Sequence, residues 1–238
     1  MMTPQGSQAD AQIGDFFWIK WVLANAVGFG VAAAVSFAPI GVNAWSRVAA
    51  AREGAAGIVS GIFVWGSPIL AAVAIGGAQW SFLRRQVHWA NSWFLGTSLG
   101  WLVSYFVVQN LVVVLPIDSR WPYGSAAIDI VPIIFAALPQ WLILRRHLSG
   151  AGWWVVASIA GAAGGFVGYL VGSFGMLIVA FFLARFIDEL WFSAVLLGLL
   201  WGTMGAAISA FTGVALRQLL KRPIPETLIP PASTIRAD

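Results

Sequence analysis

The chain has 238 residues, of which 60% are hydrophobic and 9% are charged, with 13 Lys and Arg against 9 Asp and Glu. A soluble domain carries about 25% charged residues, so this chain lacks the polar surface that a soluble protein of its length requires. The net charge of +4 does not indicate nucleic-acid binding, because the cations lie at the ends of apolar segments and form no basic stripe. The absence of cysteine excludes a disulfide framework and a thiolate metal site.

Long apolar runs divide the chain into predicted spans. Trp89–Leu115 and His147–Ala184 contain no Lys, Arg, Asp or Glu, and each exceeds the about 20 helical residues that cross a bilayer core. The runs are continuously apolar and do not alternate as barrel strands do, so we predict an all-α, polytopic transmembrane helix bundle. The six spans, in chain order, are Phe16–Ile40, Gly54–Phe82, Trp89–Leu115, Ala126–Leu144, Gly152–Phe182 and Leu190–Leu216.

Polar segments flank the transmembrane domain, which is predicted to comprise residues 16–221. Residues 1–15 have no Lys or Arg and so lack the basic start of a signal peptide, which predicts that the first helix is retained. Residues 222–238 contain four prolines and are predicted to form a disordered cytoplasmic tail. Nine of the 13 cations lie at the start of the first span, after even-numbered spans or in this tail. By the positive-inside rule, both termini are expected on the cytoplasmic side of a bacterial inner membrane.

A two-helix unit recurs along the chain. Gln79–Arg85 (QWSFLRR) recurs as Gln140–Arg146 (QWLILRR), a shift of 61 residues that gives eight identities in 22 aligned positions. Trp21–Gly28 resembles the start of the downstream unit at Trp154, whereas Thr212-Gly213 replaces Gln-Trp in the last copy. A repeat of two spans predicts three parallel hairpins around an axis near the membrane normal. Their approximate bounds are 16–85, 86–146 and 147–221.

The repeated segments resemble those of a family of uncharacterised bacterial multi-pass membrane proteins that carry QWLxLRR after a glycine-rich helix. The resemblance covers the two central motifs and, more weakly, Trp21–Gly28. It implies the hairpin topology and no particular activity. The chain departs from the family's pattern at Thr212-Gly213.

Amides within the spans are candidate structural residues. Gln79 and Gln140 lie about one turn inside the predicted cytoplasmic boundary, where a dry amide must find hydrogen-bond partners. Two interpretations stay open: hydrogen bonds that fix the register between hairpins, or the lining of a polar path. Asn25, Gln109 and Asn110 are predicted to be helix-contact residues of the same kind.

Asp129 is an acid within the fourth span, in the sequence IDIVP. An acid inside a membrane is a functional candidate by default. Pro132 and Pro139 each remove one backbone hydrogen bond and can bend this helix, and a helix broken twice is typical of transporter sites. The alternative is an interfacial charge that the dipole of a helix N-terminus favours. Asp129 and Pro132 are therefore the residues of a possible transport path.

Basic pairs and histidines follow the repeated motif. The positive-inside rule alone explains the pairs, and the same side chains are suited to holding anionic lipid head groups. These arginines are Arg84, Arg85, Arg145 and Arg146. A neutral imidazole at His88 or His147 is able to ligate a haem or a pigment, but neither has a partner at metal-ligand spacing. We therefore predict no metal and no cofactor, and interfacial histidines.

The sequence carries no catalytic motif, which favours a protein that is not an enzyme. The first hypothesis is an accessory or scaffold subunit that binds lipids and other membrane proteins, and no nucleic acid. The second is a small transporter or channel with a polar path near Asp129. Few charges lie deep in the spans, which weakens the second hypothesis.

Overall fold

The computed structural model describes residues 16–37, 55–114, 124–183 and 189–222. They form six α-helices, so the all-α prediction is confirmed. The two predicted polar tails, apart from Arg222, lie outside the described residues. The helices are α1 (Phe17–Phe37), α2 (Ala55–Leu83), α3 (Ala90–Val114), α4 (Gly124–His147), α5 (Gly152–Leu183) and α6 (Glu189–Lys221).

The six helices form a closed ring. Each helix packs against its neighbours in the chain, α1 on α2, α2 on α3 and so on to α6, and α6 packs extensively on α1. Two buried apolar clusters lie inside the ring. One includes Phe17, Trp93 and Leu219, and the other includes Phe29, Ile75 and Met204. Many large side chains on the outside are exposed, as expected of helices that face lipid.

Four of the helices are long and apolar enough to cross a membrane, judged by length and composition over the described residues. They are α1, α2, α5 and α6, and they indicate an integral membrane protein with several spans. Helices α3 and α4 have 25 and 24 residues, which is also enough to span. Within its described part, α3 buries the polar side chains Thr97, Ser98 and Ser104, which lower its apolar content. That all six helices cross the membrane stays a prediction.

Glycines allow two seams of the ring to close tightly. A Cβ built on Gly30 lies 3.0 Å from the carbonyl oxygen of Gly198, and one on Gly202 lies 3.1 Å from that of Ala26. These contacts join α1 to α6. On α5, a Cβ on Gly161 lies 3.0 Å from the carbonyl oxygen of Ile208 on α6. Glycines of α1, α5 and α6 thus permit close approach of these helices.

Helix α4 is continuous from Gly124 to His147, so Pro132 and Pro139 do not break it into separate segments. That the two prolines bend it stays a prediction. A proline removes one backbone donor but leaves the rest of the turn able to continue. The Pro139 ring also fits a recess in α3, where a Cβ on Gly100 would lie 3.3 Å from Pro139 Cγ.

Candidate functional site

Two layers of bulky apolar side chains close one end of the ring. Trp21, Trp93 and Trp154 are at most 1% exposed, and the ring centroids of Trp93 lie 6.1 Å from Trp21 and 5.2 Å from Trp154. Each of these tryptophans lies near the start of its helix, α1, α3 or α5. The second layer consists of leucines from α2, α4 and α6, each with no exposed surface: Leu83, Leu144 and Leu216. We call these six residues the tryptophan–leucine plug.

A hydrogen-bonded polar layer lies against the plug, and Gln79 is its centre. The Gln79 amide nitrogen donates to Asn25 Oδ1 at 2.7 Å. Its carbonyl oxygen accepts from the Trp93 indole at 2.7 Å, from Thr97 at 3.3 Å and from Gln140 at 3.3 Å. Four partners on α1, α3 and α4 therefore meet one side chain of α2, at a site where Gln79 is only 5% exposed.

The polar layer continues around the ring through Gln140 and Thr212. Gln140 on α4 donates to the hydroxyl of Thr97 on α3 at 2.9 Å. Thr212 on α6 accepts a hydrogen bond from the Trp21 indole on α1 at 3.3 Å. The last of these bonds crosses the seam that closes the ring. We define the polar layer as Asn25, Gln79, Thr97, Gln140 and Thr212.

Of the predicted amides, the structure brings Asn25, Gln79 and Gln140 together in this one network. Gln109 and Asn110 lie on α3, at positions whose side chains fall outside the described part. The same holds for Asp129 and Pro132 on α4, so the possible transport path has no described geometry.

Sequence reasoning identified Asn25 but missed Thr97 and Thr212 of the polar layer. Each tryptophan of the plug is followed four residues later by a polar side chain, namely Asn25, Thr97 or Ser158. Residues at i and i+4 share one helix face, so this spacing was the available signal. Thr212 departs from the Gln-Trp pattern, yet it lies four residues before Leu216, as Gln79 and Gln140 lie before Leu83 and Leu144.

All six helices line a cavity of about 40 Å³ on the far side of the polar layer. Its wall is mixed. The polar part includes Gln140, Ser158 and Ser209, and the apolar part includes Phe29 and Ile133. The cavity thus joins the polar layer to the apolar middle of the ring.

The basic pairs lie at the plugged end. The Arg84 guanidinium lies over the Trp80 ring at 4.6 Å, and Arg145 lies over Trp141 at 5.0 Å, each an i, i+4 cation–π contact. The next residue of each pair, Arg85 and Arg146, is exposed. We call this surface, together with the nearby end of α6, the basic end. From this end of the chain it includes Arg217 and Lys221 of α6 and Arg222, which directly follows the helix.

The two histidines meet at the same end. The rings of His88 and His147 are 5.5 Å apart and perpendicular, and His147 stacks on Trp89 at 5.6 Å. Among the described residues, no group of three His, Asp or Glu side chains is placed to hold a metal ion. The pair has no third protein ligand in that part of the chain, so its geometry gives no argument for a metal.

We expect stability to fall on acidification through His147. Burial, and then the charges of His88 and Arg146, lower the pKa of His147 below its ordinary 6.5. Between the lowered pKa of the folded state and the ordinary pKa of the unfolded state, the unfolded chain binds a proton and the folded chain does not. Stability is therefore lost as the pH falls through this interval. Thermal unfolding at about pH 7.5 and about pH 5.5 should show this loss, and His147→Gln should reduce it. An unchanged pH dependence in His147→Gln contradicts the assignment.

No protein-family model, no curated protein and no solved structure matches this chain. The resemblance to the bacterial QWLxLRR proteins therefore stays a prediction.

Proposed function

We propose that the protein is a non-enzymatic integral membrane protein that serves as an accessory or scaffold subunit, binding lipids and other membrane proteins. The observation that supports this most strongly is that one end of the ring is filled. The tryptophan–leucine plug fills one end of the ring, and the amides behind it are engaged in hydrogen bonds with one another. Such an interior favours a rigid bundle with a functional outer surface over an open path.

We also propose that the bundle is built from three parallel hairpin repeats. The support is the equivalent placement of repeated residues. The tryptophans that enter α1, α3 and α5 form one layer, and the leucines that leave α2, α4 and α6 form another. With both termini in the cytoplasm, as charge sorting predicts, the basic end faces the cytoplasmic leaflet of a bacterial inner membrane.

The test of the accessory role is purification in mild detergent followed by native mass spectrometry. A scaffold is expected to retain a stoichiometric membrane-protein companion. A chain that is recovered without any companion after chemical cross-linking in its native membrane argues against the role.

The basic end is proposed to hold anionic lipid head groups. Arg85 and Arg146 are exposed beside arginines that stack on tryptophan, and a basic residue near an anionic surface contributes about 1 kcal/mol of attraction. In detergent, the variant Arg85→Gln/Arg146→Gln should bind added phosphatidylglycerol roughly 30-fold more weakly, because it loses two such residues. Arg47 and Arg52 follow the first span and are therefore predicted on the opposite side of the membrane. Arg47→Gln/Arg52→Gln removes the same charge there and is the control. Equal loss in both variants contradicts a specific surface.

A small transporter is the second candidate, because all six helices line the internal cavity. On this alternative the polar path passes near Asp129. Asp129→Asn should then abolish uptake in reconstituted vesicles while expression stays normal, whereas Asp188→Asn, outside the predicted span, should not. Unchanged uptake or phenotype in Asp129→Asn removes the argument for this path.

A further inference from the structure

We infer that the internal cavity is a binding site for a cluster of about three water molecules, anchored by the indole N–H of Trp154. The cavity measures about 40 Å³, and a buried water needs about 10–15 Å³ measured in this way, together with polar partners. Ser158 and Ser209 add hydroxyls to its wall beside Gln140. The site thus has both the room and the polar groups that buried water requires.

The anchor is identified by comparing the three buried tryptophans. The Trp93 indole donates to Gln79 and the Trp21 indole donates to Thr212. In each case the acceptor lies on the last helix of the neighbouring hairpin. The equivalent acceptor for Trp154 is Gln140, but among the described residues Trp154 Nε1 has no hydrogen-bond partner, although it is buried. Both side chains line the cavity.

A bridging water resolves this difference. A buried indole N–H without an acceptor costs about 1–3 kcal/mol, and a water between two polar groups forms bonds nearly as favourable as a direct one. The amide nitrogen of Gln140 is already used, because it donates to Thr97. Its carbonyl oxygen is the natural second partner of a water that accepts from Trp154.

The volume of the cavity follows from the residue that the third hairpin places beside it. Thr212 lines the cavity at the position that glutamines occupy in the other two hairpins. Threonine is shorter than glutamine, so it leaves room that a third amide would fill. The hydrated site is therefore a consequence of the one departure from the repeated Gln-Trp motif.

The test is nuclear magnetic resonance of the full chain in nanodiscs, labelled with ¹⁵N at its 14 tryptophan indoles. We expect a direct cross-peak between bound water and the Trp154 indole proton. We expect none for Trp93, whose N–H is bonded to Gln79. Trp93 is a suitable control because the Thr97 hydroxyl also bonds Gln79, so a signal relayed through an exchanging hydroxyl would appear at Trp93 as well. Trp154→Phe assigns the Trp154 signal by deletion. Sequential assignment of the wild-type chain serves if that variant does not fold.

A second variant tests the position of the water. Thr212→Gln places a longer amide in the cavity and should abolish the Trp154–water cross-peak while the Trp93 signal stays in place. The proposal is overturned if wild-type Trp154 shows no cross-peak, if Trp93 shows an equal one, or if the Trp154 cross-peak survives in Thr212→Gln.

Discussion

Replacing Gln79 with leucine should destabilise the protein more than any other single change in the polar layer. Leucine of similar size removes one acceptor and one donor, and it leaves Asn25, Trp93 and Thr97 with buried groups that have lost a partner. A buried polar group without a hydrogen-bond partner costs about 1–3 kcal/mol in a water-soluble protein and less in a bilayer. We therefore expect the free energy of unfolding to fall by roughly 2–4 kcal/mol. Thermal unfolding in detergent should fall by about 5–15 °C.

The control variants distinguish loss of the buried hydrogen-bond network from the mere replacement of a glutamine by leucine. Gln218 lies exposed on α6, so Gln218→Leu should leave the unfolding temperature unchanged. Gln140→Leu should cost less than Gln79→Leu, since Gln140 makes two of these bonds. The double variant at Gln79 and Gln140 should cost less than the sum of the singles, because they share one bond. Unchanged unfolding in the double variant contradicts the register role of both glutamines.

Replacing Gly202 with leucine should open the seam between α1 and α6. Even a single Cβ at this position lies 3.1 Å from the carbonyl oxygen of Ala26, so a full side chain forces the backbones apart. Overpacking of this kind costs about 1–3 kcal/mol where the structure adjusts, and more where backbone blocks it. The expected result is a lower unfolding temperature and loss of the Trp21–Thr212 bond across the same seam.

The matched control is Gly175→Leu on α5. A Cβ at Gly175 meets nothing within 4 Å, and the residue is exposed, so the same substitution there should be neutral. Equal behaviour of Gly202→Leu and Gly175→Leu in thermal unfolding and in the Trp21 indole signal contradicts the tight seam.

The helices were predictable because their cause is local. Apolar runs without charge require helices in lipid, and the predicted limits of the last two spans differ from α5 and α6 by only a few residues. How α4 packs was not predictable, because Pro139 lies against Gly96 and Gly100 of α3, and only the folded bundle brings these residues together.

The candidate site was predictable in its glutamines and not in its arrangement. A buried amide must find partners, so Gln79 and Gln140 stood out from the sequence alone. Which partners they find depends on ring closure, which places Thr97 and Thr212 among the amides. The same arrangement leaves the Trp154 indole without an acceptor in the part of the chain that the structure describes. Single threonines and serines are common in apolar helices, so the presence of Thr97 and Thr212 in the sequence did not indicate that they would bond the buried amides and tryptophans.

Ring closure is the central claim, and a disulfide across the α1–α6 seam tests it most directly. The chain contains no cysteine, so two introduced cysteines have no other thiol of this chain to react with. A Cβ on Gly198 lies 3.6 Å from Ala34 Cβ, within the separation of about 3.5–4.5 Å that a disulfide requires. Ala34→Cys/Gly198→Cys should cross-link in native membranes on mild oxidation, and Ala34→Cys/Gly175→Cys should not. A well-expressed Ala34→Cys/Gly198→Cys chain that stays reduced would contradict the closed ring.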